Sequence, residues 1–322
     1  MQAANPRSGS RSAMGVFFRR YGILAIFCVM CLGIASTVPG FFTWQNILNI
    51  LRQSSIVGLM AIGSTYVIIG GGFDISVGSV LALTAAIAIG AQAHLPWPAA
   101  VACSLAAGAF IGFVNGILAS WVGIVPIIAT LGTMTIARGL TYIYTGGYPI
   151  IGASEQFSFI GSGYVGRLPF PILLLLCMVA FWQFILSKTR TGRYVCAVGG
   201  NKEASRLSGV AVGYYHILTF VVGGFMAAMA GIVYASRLNS ATPLAGQGYE
   251  LDAIASTVIG GTSVSGGEGS VFGSLVGVLM LNIVNNTFNL YGVHVSVQHL
   301  IKGIIILVVV GIDSYGRKAD RA

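Results

Sequence analysis

Only 8% of the 322 residues are Asp, Glu, Lys or Arg, while 56% are hydrophobic, and this imbalance limits the fold more than any motif does. Soluble domains carry roughly 25% charged residues, which keep their surfaces wet. Here the mean hydropathy is +0.86. A disordered chain, a coiled coil and a soluble nucleic-acid binder are excluded, although the sequence pI is near 9.5. A helix crosses a bilayer with about 20 apolar residues, and the apolar runs suffice for about ten such crossings. The expected fold class is an all-α polytopic membrane protein with about ten transmembrane helices, some short or broken at glycine. Glycine, with 45 residues, far exceeds its usual ~7% share. Close helix packing in lipid and interrupted helices that line a cavity both require it.

The expected spans cover residues 21–38, 54–69, 75–93, 98–122, 124–144, 169–186, 214–235, 251–259, 271–290 and 296–312. The eighth is the weak point of the count. Residues 145–168 read as an outer polar loop, 236–250 as another. Glycine-rich breaks fall at 70–72 and 260–269. A faint repeat relates Ser64-Thr65 ahead of Gly78-Ser79-Val80 to Ser256-Thr257 ahead of Gly269-Ser270-Val271, with one gap. Paired interrupted segments point to a transport site; chance similarity between glycine-rich segments explains the pattern equally well.

Of 17 Lys and Arg, 12 occupy three segments. Arg7, Arg11, Arg19 and Arg20 lie near the N-terminus, five residues lie between Lys188 and Arg206, and Arg317, Lys318 and Arg321 lie near the C-terminus. The positive-inside rule places all three in the cytoplasm. The resulting domain reading is a basic cytoplasmic tail at 1–20, a membrane domain at 21–312 containing a cytoplasmic segment at 188–213, and a second basic tail at 313–322. Arg19-Arg20 before an apolar run imitates a signal peptide, but a retained first helix is the simpler reading. Without interleaved aromatics the basic segments do not indicate nucleic acid. Cys28 and Cys31 form a CxxC inside an apolar run and read as ordinary membrane-helix residues, and five cysteines make no disulfide framework.

Polar residues within membrane spans are costly and default to functional candidates. Asp74 and Ser76 follow the first glycine break, where they can cap the next helix or touch a substrate. Asn282, Asn285, Asn286 and Asn289 share one helix face at i, i+3, i+4, i+7. Amides both donate and accept, which suits a polyhydroxylated neutral ligand lining a path; helix–helix bonding is the other reading. Lys302, beside His299 and Gln298, either snorkels outward or pairs with Asp252 or Glu250. Arg138 reads as an anchor. Residues 202–207 can form a short helix with Asn201 as N-cap after a Gly199-Gly200 turn, stopped by Gly209. Such a helix is a docking knob for a soluble partner or an ordinary solvated loop. No GxxxxGK[ST] and no HExxH occur, and His94, His216, His294 and His299 are dispersed. No catalytic residue, metal site or cofactor is expected, and energy for transport must come from a partner or an ion gradient.

Several motifs together resemble the permease subunits of ribose-type bacterial ABC sugar importers. Gly71 to Ser79 resembles the family's GG-x-D-[LI]-S-V-G-S motif. Asn46-Ile47-Leu48 with the stretch from Gln53 to Gly63 resembles its second-helix lead-in. Tyr249-Glu250-Leu251-Asp252-Ala253-Ile254-Ala255, then Val258-Ile259-Gly260-Gly261-Thr262-Ser263 and Gly266-Gly267, is similar to its C-terminal signature. The segment after Lys188 resembles its coupling-helix region, and the likeness extends over about residues 40–312. The resemblance implies a subunit of the bacterial inner membrane, paired with a second permease subunit, identical or a paralogue. Two ATP-binding cassette subunits would dock at Gly199, Gly200, Asn201, Lys202, Glu203, Arg206, Leu207, Ser208 and Gly209. A periplasmic sugar-binding protein would deliver a neutral, ribose-like monosaccharide, moved by alternating access. A permease for branched amino acids or nucleosides of the same importer class, and a stand-alone secondary transporter or channel, are the alternatives.

Overall fold

The computed structural model describes residues 25, 27–34, 36–38, 40–152 and 154–321. The basic N-terminal tail and the start of the first expected span lie outside the described residues. Residues 27–34 are helical. From there the chain runs α1 (Trp44–Ile69), α2 (Val77–Gly90), α3 (Trp97–Ser120), α4 (Pro126–Thr145), β1 (Ile150–Ile151) and α5 (Glu155–Ser162). It continues through β2 (Tyr164–Val165), β3 (Leu168–Pro169), α6 (Phe170–Lys188), α7 (Arg190–Gly200), α8 (Lys202–Leu207) and α9 (Val212–Leu238). The last elements are β4 (Ser240–Ala241), α10 (Tyr249–Ile259), α11 (Val271–Leu290) and α12 (Val295–Arg321). The protein is an all-α membrane protein; the strands are two-residue pairs that clasp loops, β1 on β4 and β2 on β3.

Among the described residues five helices, α1, α3, α6, α9 and α11, are long and apolar enough to cross a bilayer. The expected count of about ten, some short or broken at glycine, rests in addition on shorter elements that helix length alone does not confirm as spans. With 11 residues, α10 is about 17 Å long against a ~30 Å hydrocarbon core. The 14-residue α2 is also short. Other boundaries move as well. The expected second span starts ten residues early, at Trp44, because Thr43 caps the helix by accepting from the Asn46 N–H. The stretch expected as an outer loop contains α5, capped by Ser154. The last helix continues through 313–321.

The centre of the fold is α9, packed against α1, α2 and α3. Its backbone nearly touches that of α3. A Cβ on Gly112 would meet the Phe220 carbonyl, one on Gly108 the Gly224 carbonyl, and one on Gly116 the Cα of Ile217. Three glycines at i, i+4 and i+8 thus form the flat stripe that permits close approach in lipid. The buried core between these helices includes Leu59, Tyr66, Val80, Leu81, Met226 and Val233.

Both glycine breaks end their helices in the same way. After α1, Gly71 takes a left-handed φ of 80°, its N–H bonds Ile68 O, and the Gly72 N–H bonds Val67 O. After α10, Gly261 takes 88°, its N–H bonds Val258 O, and the Thr262 N–H bonds Thr257 O. Each is a Schellman ending, which needs a residue tolerant of positive φ. The repeat is therefore real in backbone form but set differently from the sequence reading. The helix ends align Ser256-Thr257 with Tyr66-Val67, not with Ser64-Thr65. The helices that follow are preceded by Ser76 and Ser270, not by Ser79 and Ser270.

Candidate functional site

Three segments remote in sequence converge at one end of α1. The Gly267 N–H donates to the Ile69 carbonyl at 2.8 Å. Between these two breaks sits the C-terminal end of α7. A Cβ on Gly199 would collide with Ile69 O and the Gly267 amide, and one on Gly266 with Gly199 O and the Gly71 Cα. Gly199 and Gly200 are the last turn of α7, not the turn expected before Asn201. The helix persists because Thr189 caps its start, accepting from the Gly192 N–H, and because its glycines are fixed by tertiary contact, which overrides weak propensity.

Beyond it α8 forms as expected. The Asn201 side chain accepts from the Ala204 N–H at 2.9 Å, and Gly209 adopts φ 78° after the helix. Glu203 and Arg206 pair at 2.7 Å on an open face beside Leu207, which is 79% exposed. Ser208 donates back to Ala204 O. Lys202 approaches Gly71 with its Cε, and this partial burial lowers its ammonium below the ordinary pKa.

Asp74 is buried and shapes the entry to α2. Its Oδ1 accepts from the Ser76 N–H at 2.8 Å and the Ser76 hydroxyl at 2.6 Å. Ser76 occupies the N-cap position but makes no capping bond with its side chain, which corrects that part of the expectation. Its Oγ instead accepts from Asn115 Nδ2 at 3.0 Å, and Thr133 donates to Asn115 Oδ1 at 2.7 Å. This chain joins α2, α3 and α4 in a region where unmade hydrogen bonds are expensive.

The asparagine face divides. Asn286 is buried and exchanges two amide bonds with Asn46 of α1, at 2.8 and 3.0 Å. Asn289 accepts from Gln298 at 3.0 Å. Asn282 and Asn285 line a cavity of about 380 Å³ between α1, α9, α10, α11 and α12. Asn282 donates to Val278 O at 3.1 Å. In the same cavity Lys302 pairs with Asp252 at 3.0 Å, so it does not snorkel, and its partner is Asp252 rather than Glu250. Glu250 instead accepts from the Gly248 N–H and stands over Gly78. His299 is exposed. Arg138 anchors α4 by donating to the Pro243 and Ala245 carbonyls.

Sequence reasoning missed four polar or aromatic groups of the cavity, Gln53, Tyr234, Arg237 and Tyr249, besides its apolar lining. One signal was available, since Arg237 is the single charge in the apolar run of α9. Among the described residues no group of three His, Cys, Asp or Glu is placed to hold a metal.

Residues 46–310 match the family described as branched-chain amino acid transport system / permease component. Ribose import permease protein RbsC of Haemophilus influenzae is 44% identical over 89% of this chain and 91% of its own length. The protein of the same name from Bacillus subtilis is 43% identical over 85% and 86%. L-arabinose transport system permease protein AraH of Escherichia coli is 37% identical over 97% and 95%. No solved structure matches. With helices fit to cross a bilayer and a family match over most of its length, the chain belongs to this family of transport-system permease components, and its work is transport rather than catalysis.

Proposed function

We propose that this chain is the membrane subunit of an ATP-driven bacterial importer that carries a neutral, ribose-like monosaccharide across the inner membrane by alternating access. The similarity to sugar permeases, at 37–44% over nearly full length, carries the reading. The family description names branched-chain amino acids, but the relatives named above are ribose and arabinose permeases. The partners are a second permease subunit, ATP-binding cassette subunits and a periplasmic sugar-binding protein. The chain makes about ten passages when α2 and α10 count as interrupted elements, with both termini cytoplasmic.

The region from Gly199 to Gly209 is the coupling element in this reading. The open face of α8 offers a paired charge and an exposed leucine to an ATPase subunit, while Gly199 touches both glycine breaks. Motion of α8 and α7 then reaches α1 and the loop between α10 and α11 directly. The solute path runs past Asn282 and Asn285, with Asn286 and Asn289 holding helices together. Asp74 and Ser76 hold the entry of α2 rather than touching solute.

Co-expression with the ATP-binding and sugar-binding partners, followed by ATPase assays in proteoliposomes across a panel of monosaccharides, tests this. Stimulation by one sugar supports it. A chain that recruits no ATPase yet passes solute down a gradient overturns it.

A further inference from the structure

We propose that the cavity lined by Asn285 is a transit site for one monosaccharide, in which the Arg237 guanidinium recognises a pair of neighbouring hydroxyls. This rests on the importer reading above. The cavity, about 380 Å³, has the size of a small-ligand pocket. It lies on α1 near Gln53, 16 residues before Ile69, or about 24 Å along the helix from the glycine junction. It is thus in the half of the protein remote from the coupling element.

The charges that line it are unevenly matched. Lys302 and Asp252 satisfy each other at 3.0 Å. Arg237, half-buried, makes no side-chain hydrogen bond or ion pair among the described residues, and neither do the amides of Gln53 and Asn285. These groups are half-buried and keep their hydrogen-bonding capacity free on the cavity wall, where a visiting solute can engage them. A guanidinium presents parallel N–H donors in a rigid fork, which fits two adjacent oxygens. The two amides both donate and accept, so each can serve a hydroxyl in either role. Tyr234 and Tyr249 add flat apolar faces with polar tips. An amino acid fits poorly: its carboxylate would meet Arg237, but its ammonium would find Asp252 already engaged by Lys302.

The test uses the complete importer in proteoliposomes, with binding protein saturated by a pentose, by its 2-deoxy analogue or by the corresponding sugar acid. The wild-type chain must take up the pentose when ATP is supplied; if it moves no sugar at all, the importer reading fails before the site is tested. Arg237→Ala and Arg237→Lys should each lower pentose uptake about tenfold or more, and Asn285→Ala by about threefold or more. ATP hydrolysis stimulated by the loaded binding protein should stay within about twofold of wild type, which certifies folding and docking. The preference for pentose over the 2-deoxy analogue should be levelled in both Arg237 variants. Should an Arg237 variant lose the ATPase stimulation, Asn285→Ala carries the test. Uptake and preference unchanged in Asn285→Ala and Arg237→Ala overturn the proposal. So does full rescue by Arg237→Lys, which reduces Arg237 to a charge, or a selective loss of sugar-acid uptake, which makes the site anionic in taste.

Discussion

The Gly267 amide donates to the Ile69 carbonyl at 2.8 Å, and this bond ties the end of α1 to the glycine-rich loop after α10, nearly 200 residues away. Gly199 fills the space beside it so fully that no side chain fits. Gly199→Ala must push α7 off the junction. It is expected to destabilise the protein by about 1–3 kcal/mol and to lower ATP-driven uptake about tenfold or more. Thermal melting in detergent and uptake in proteoliposomes measure the two effects. Normal uptake by this variant would remove the junction from the transport cycle.

Asn46 and Asn286 form a reciprocal buried amide pair, so each single change strands its partner. Asn286→Leu should cost about 1–3 kcal/mol, while Asn46→Leu with Asn286→Leu should be close to neutral. A double-mutant cycle by thermal unfolding reads the coupling. Asn285→Leu, by contrast, should leave stability nearly unchanged and reduce flux.

The Glu203–Arg206 pair is two-thirds exposed and contributes at most about 1 kcal/mol to folding. Glu203→Lys should therefore leave membrane insertion and melting intact while uptake and ATPase co-purification disappear. Gly209→Pro should do the same, because φ 78° is closed to proline and α8 loses its stop. If either variant retains both activities, the coupling element lies elsewhere.

Gly112 faces the Phe220 carbonyl with no room between α3 and α9. Gly112→Val should separate the two central helices and abolish accumulation of folded protein, measured by monodispersity in detergent. Gly132→Val on α4, with open space around it, should be tolerated and serves as the control.

Features governed by local chemistry were legible in the sequence. Asn201 as a cap and Gly209 as a stop need only their own neighbours. The Asn face was readable from helical period, but period does not say which neighbour each amide meets. Asn286 met Asn46 and Asn285 met a cavity. The start of α1 was missed because Asn46, Arg52 and Gln53 make its first turns look like a loop, although Asn46 and Gln53 face protein and cavity. α7 was missed because Gly192, Gly199 and Gly200 read as breakers. Their contacts with Leu186, Ile69 and Gly267 are long-range or cross-element and carry no local signature. Arg237 was hidden for a related reason: it ends a helix whose last turn resembled the start of a polar loop.

The junction at Gly199 is built almost wholly from main chain, whereas the cavity farther along α1 is built from side chains. On the proposed roles, a permease of this design would exchange one solute for another through the groups around Asn285 and Arg237, while the main-chain junction proposed to receive the ATPase's motion stayed unrevised. The same α1 is thus a shaft with a standard fitting at one end and an interchangeable tool at the other.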